Sequence, residues 1–117
     1  MKRHLLLLPL CMLMCLLSAC DKQSSVDRAA GRMLGDARFA LRYAHYDEAR
    51  DSILSMRKQY PTALKARAQG ILLLDSIELT AARDSLQRAE GPEWERLHVK
   101  VQFYERKLME DLKKDKE

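Results

Sequence analysis

Apolar residues along this chain fall into one dense block and several periodic stretches. From Leu5 to Leu17 nearly every residue is apolar, whereas from Asp21 onward apolar positions recur every three or four residues among charges. That spacing puts the apolar side chains of each stretch on one face of a helix. Val26, Ala29, Ala30, Met33, Leu34, Ala37, Leu41 and Ala44 define a first helix, with Ser25 as its expected N-cap. Gly31 and Gly35 fall inside it and weaken it by up to about 1 kcal/mol each relative to Ala, which implies a neighbour packed closely on that side. A tight turn is expected near Ala44 and His45. The second helix then carries Tyr46, Ala49, Ile53, Met56 and Tyr60 on its apolar face and Asp47 and Glu48 at its positive end, and Pro61 stops it.

Thr62 is expected to cap a third, longer helix through Leu64, Ala68, Ile71, Leu72, Leu79, Ala82, Leu86 and Ala89, which Glu90-Gly91-Pro92 terminates. Leu72-Leu73-Leu74 is too short for a membrane role and marks where this helix is buried on several sides. A fourth helix starts at Pro92 or Glu93 and spaces Trp94, Leu97, Val101, Tyr104 and Leu108 by threes and fours, a narrow seam of the coiled-coil kind. The short Gly91-Pro92 turn makes the third helix its antiparallel partner, and the charged end, Lys113 to Glu117, is expected to fray. Period-two alternation is missing, so no strand is predicted. The expected fold class is all-α: a small helical bundle in one domain, residues 26–112, with a long antiparallel hairpin at its C-terminal side.

The dense block has the three-part layout of an export signal: Lys2-Arg3-His4, the apolar run, and the small pair Ser18-Ala19. A bilayer core needs roughly twenty apolar helical residues, more than this run supplies, and the polar stretch from Cys20 to Ser25 follows at once. Leu17-Ser18-Ala19-Cys20 resembles the lipobox of bacterial lipoproteins. The resemblance implies that residues 1–19 are cleaved off, that Cys20 is diacylated on sulfur and acylated on its freed amine, and that residues 20–25 form a tether. Cys11 and Cys15 follow bulky residues and lack the match. Each buried acyl methylene adds about 0.8 kcal/mol to membrane binding, so two or three chains make a lasting anchor. The shortened chain would keep Cys20 as its sole cysteine, which leaves no intramolecular disulfide.

From Tyr46 to Pro61 the chain resembles the second half of a tetratricopeptide repeat (TPR), with Ala49, Ile53, Met56 and Pro61 at the matching positions. The preceding helix departs from the pattern, holding Met33, Asp36, Ala37 and Ala40 where a large aromatic, Leu, Gly and Tyr are usual. One repeat cannot build the concave groove that stacking at least about three creates, so the resemblance implies a TPR-like hairpin used as a packing unit. Tyr46 to Ala49 and Gln59 to Pro61 also resemble small envelope lipoproteins of gut Bacteroidota with such a hairpin and a long helix. That resemblance implies a fold and an address, the outer membrane, although Asp21 after the lipidated cysteine is similar to an inner-membrane retention signal of enterobacteria.

Charge and chemistry narrow the function. Two of the basic residues behind the formal charge of +4 are Lys2 and Arg3 of the leader, and elsewhere acids and bases alternate, as in Asp47-Glu48-Ala49-Arg50-Asp51. No single-sign block could track a phosphate backbone, so no nucleic-acid partner is expected. His45 and His98 are too few for a metal site, the serines Ser52, Ser55, Ser76 and Ser85 lie within helices, and the carboxylates pair with bases at helical spacing. No enzyme, cofactor, metal or small-molecule substrate is expected. Tyr43, Trp94, Phe103 and Tyr104 are expected in the core. The expected function is a lipid-anchored, non-enzymatic helical module that docks another envelope protein. The alternative is self-association through the seam of Trp94, Leu97, Val101, Tyr104 and Leu108.

Overall fold

The computed structural model describes the backbone of residues 2–117 and the side chains of Pro9, residues 12–16 and residues 20–117. Four helices follow one another: α1 (Lys2–Arg42), α2 (Tyr46–Gln59), α3 (Leu64–Leu86) and α4 (Pro92–Lys116), with no strand among the described residues. The all-α class and the number of helices in the body agree with the apolar periodicity.

Several boundaries differ from the sequence reading, each for a local reason. α1 does not start at Ser25 but runs through it, and Gln23-Ser24-Ser25, the expected short tether, is helical. No Gly or Pro interrupts that stretch, and the Gln23 amide donates to the Asp27 carboxylate one turn on, at 3.0 Å. α1 ends in a Schellman motif: the His45 N–H reaches the Ala40 carbonyl at 2.9 Å and the Ala44 N–H reaches that of Leu41 at 3.0 Å. The residue in the left-handed conformation there is Ala44, φ 59°, where glycine is usual. α3 takes Ala63, not Thr62, as its N-cap, and no side chain caps it. Its first bond runs from the Arg67 N–H to the Ala63 carbonyl at 2.9 Å. α3 also stops at Leu86, before Ala89, as bonds from Arg88 to Ser85 and from Ala89 to Leu86 tighten the chain into a turn. Gly91, φ 60°, then lets Pro92 open α4 at a position that needs no N–H. α4 continues helical to Lys116, past the predicted fraying point.

α3 is the central element, packed against α1, α2 and α4, while among the described residues α4 packs on α3 alone. The main core lies between α1, α2 and the chain from Ala63 through α3 as far as Ile77: Ala30, Leu34, Ala37 and Ala40 meet Ala49, Ile53, Met56, Ala63, Ala66 and Ile77. Small residues dominate on α1, which brings the helices close. Burying each of Leu34, Ile53, Met56 and Ile77 fully contributes about 1.5–3 kcal/mol. A second, smaller cluster joins Leu79 and Ala82 of α3 to Val101 of α4, flanked by Leu86, Tyr104 and Leu108. The close approach inferred for Gly31 and Gly35 is absent, since a Cβ at either would meet open space. It occurs instead at Gly70, where a Cβ would lie 3.0 Å from Cε of Met56 and 3.4 Å from Cγ2 of Ile53. Leu72, Leu73 and Leu74 are half-buried on the central helix.

Candidate functional site

Cys20 lies on α1, exposed, before Val26 begins the contact with the core. The side chains of its expected recognition partners Leu17, Ser18 and Ala19 lie outside the described residues. Among the described residues no helix is long and apolar enough to cross a membrane.

The seam on α4 has a partner inside the chain. Leu97 and Val101 are buried, and Tyr104 and Leu108 pack with Val101 against Leu79, Ala82 and Leu86 of α3. The face that the alternative function needed for a second copy is therefore turned inward. Trp94 is the exception at 42% exposed, with its ring stacked on His98 at 4.7 Å and an interplanar angle of 9°. Tyr43 and Phe103, expected in the core, are also exposed, and only Tyr104 of the four aromatics joins a core cluster. The reason is geometric: among the described residues α4 packs on α3 alone, so one narrow stripe of it is covered and Phe103 lies outside that stripe. Tyr43 lies beyond the last turn of α1, its ring 4.9 Å from that of exposed Phe39.

The cluster with the most perturbed chemistry was not singled out by the sequence. Asp75, on α3, is 2% exposed. Its Oδ1 accepts from Nζ of Lys107 on α4 at 2.7 Å, and the same ammonium donates to Oδ2 of Asp111, also at 2.7 Å. Asp75 Oδ2 is buried with no hydrogen-bond partner. Burial pushes the Asp75 carboxyl above the usual carboxylate range, against the pull of Lys107. Asp111 is held below that range, first by its hydrogen bond to Lys107, and Lys107 is raised by its bonds to Asp111 and Asp75. A charged residue directly after Leu72-Leu73-Leu74 and two before Ile77 was the available signal, but its partner lies 32 positions away. The trio joins α3 to α4, and Asp111 also lines a shallow open hollow with Ala68, Ile71, Leu72, Lys114 and Asp115.

Other polar links serve the same joining role. Arg50 on α2 bonds Glu78 on α3 and Asp47 on its own helix, the latter at 2.7 Å. The Tyr46 hydroxyl donates to Asp84 at 3.3 Å, and burial followed by the Asp84 charge raises its pKa. Arg83 meets Glu105 at 2.7 Å. His45 lies exposed beside Glu48 at 3.3 Å, and His98 contacts Gln102. Ser76 returns its hydroxyl to the Leu72 carbonyl of its own helix at 3.0 Å. Among the described residues no group of three or more His, Cys, Asp or Glu converges to hold a metal ion. Compared with protein-family models, curated proteins and solved structures, the chain finds no match.

Proposed function

We propose that this chain is a lipid-anchored protein of the bacterial cell envelope, preferentially the outer membrane, whose helical body is a non-enzymatic docking module. The observation that carries the reading is Leu17-Ser18-Ala19-Cys20 at the end of an apolar run with a positive start. An exposed Cys20 just ahead of the packed body is compatible with acylation. The docking role is supported by apolar side chains that stand exposed among the described residues, Phe39 on α1, Tyr43 just beyond it, and Val99 and Phe103 on α4. In this reading the α1–α2 pair is a TPR-like hairpin that acts as a packing unit, with Ala49, Ile53 and Met56 directed into the core.

The test is the intact mass of the protein extracted from membranes, beside that of its Cys20→Ala variant. The expected result is a mass of residues 20–117 plus acyl chains for the parent and loss of membrane association for the variant. Membrane association that survives Cys20→Ala sinks the anchor. A pull-down from solubilised membranes that recovers nothing specific sinks the docking role.

A further inference from the structure

Charge, apolar exposure and position converge on the end of the bundle nearest Cys20. Gln23 donates to the Thr62 carbonyl at 3.2 Å, which ties the α2–α3 turn to α1 three residues beyond Cys20. At about 1.5 Å of rise per residue, that is roughly 5 Å along the helix axis. The turn leads into Leu64, which is 73% exposed. Lys58 and Lys65 are exposed on either side of the turn, and Lys22 is exposed on α1.

Among the described residues, Lys22, Arg57, Lys58 and Lys65 form no ion pair, whereas Arg50, Arg83, Arg88 and Arg96, further along the bundle, each hold a carboxylate. Other cations without an ion pair among the described residues, such as Arg32, Arg38 and Arg42 on α1 and Arg106 on α4, lie elsewhere along the helices. Arg42 ends α1, where the helix dipole accommodates a cation. Lys65 has no such accommodation. It stands in the first turn of α3, a helix whose first turn contains no acidic residue, whereas α2 and α4 both begin with carboxylates. The acids at this end are Asp21, Asp27, Asp111, Asp115 and Glu117, of which Asp27 is engaged by Gln23 and Asp111 by Lys107 and Lys114.

We infer that this end of the bundle seats on an anionic phospholipid surface, with Leu64 entering the headgroup layer and Lys22, Lys58 and Lys65 meeting lipid phosphates. The inference rests on the proposed attachment through Cys20 and deepens it. The occupant follows from position, because acyl chains on Cys20 hold the α2–α3 turn within about one helical turn of the headgroups. An exposed leucine beside unpaired lysines complements that layer, apolar below and negative above.

The experiment uses the lipidated protein reconstituted in phosphatidylcholine vesicles with and without phosphatidylglycerol. Trp94→Phe removes the sole tryptophan and Leu64→Trp places one at the turn, both at exposed positions. Quenching by lipids brominated on their chains then reports seating. The expected result is quenching in anionic vesicles that weakens with added salt, and a seated-to-unseated ratio that falls about fivefold for each of Lys58→Ala and Lys65→Ala. Protein that floats with anionic vesicles but shows no quenching overturns the seating and leaves the anchor standing. Equal quenching without phosphatidylglycerol overturns the role assigned to the lysines. Protein that does not float with vesicles overturns the attachment and the seating together.

Discussion

Lys107 serves two carboxylates whose titrations run in opposite directions. Asp75 binds its proton more tightly in the folded protein, so its contribution to stability falls as pH rises from the ordinary carboxylate value through the raised one. Asp111, held low, contributes stability above its unfolded pKa and loses it as pH falls through its folded value. Lys107, held high, contributes below the ordinary lysine pKa and loses that contribution as pH rises through its folded value. Lys107→Met leaves a buried carboxylate uncompensated, and because the lysine is partly exposed the expected loss at neutral pH is about 2–3 kcal/mol. Urea unfolding at neutral pH and at a lower pH should show that deficit shrinking as Asp75 takes up its proton. An equal deficit at both pH values would mean that Asp75 carries no charge at neutrality. A second residue-scale prediction concerns Ala44, whose left-handed backbone glycine adopts without a Cβ penalty. Ala44→Gly is expected to stabilise by roughly 0.5 kcal/mol, read as a higher Tm. The turn near Ala44 and His45 was legible because the periodicity breaks there. The Asp75–Lys107 pair was not, because contact across 32 positions depends on how two helices are set side by side.

At the scale of the element, the glycines divide by what surrounds them. Gly31→Ala and Gly35→Ala add side chains into open space on a helix, so each is expected to stabilise by up to about 1 kcal/mol. Gly70→Val forces atoms against Met56 and Ile53 and is expected to cost about 1–3 kcal/mol. Thermal melts of the three variants check both signs, and a destabilising Gly31→Ala would reveal a neighbour that this fold does not contain. Helical spacing identified the inward stripes of α1, α2 and α4, as the burial of Leu34, Ile53 and Leu97 shows. On the first half of α3 it named Leu64, Ala68 and Ile71, which are exposed, and passed over Ala66, Gly70 and Ile77, which are buried because α3 meets α1 and α2 on a different face from α4. It could not tell Gly31 from Gly70, since the difference lies in which partner helix is near. Nor could it place Trp94: the register continues the seam to that residue, but Trp94 stays partly exposed and stacks on His98 of its own helix. The start of α1 was missed for another reason. Ser25 is a competent cap, yet a residue caps a helix only where the chain before it leaves helical geometry, and here it does not.

At the scale of the molecule, α3 holds the two core clusters together, one on each half of its length. Amide exchange is therefore expected to be slowest from Gly70 to Ala82 and fastest toward the ends, with Lys113 to Lys116 among the first to exchange. Faster exchange in the middle of α3 than in α2 would contradict its central role. The protein is 84 Å long but only 28 by 17 Å across, because the leading half of α1 extends away from the bundle. The unbroken passage of α1 from Cys20 into the core changes what an anchor at that cysteine does. A coil of the same few residues would let the body tumble and sample a hemisphere above the bilayer. A helix transmits direction as well as attachment, so the body would keep a fixed bearing and sweep the membrane plane mainly by lateral diffusion. Encounters with a neighbour in the same leaflet would then be confined to a layer one bundle thick, which raises their local concentration without any change in the contact surfaces.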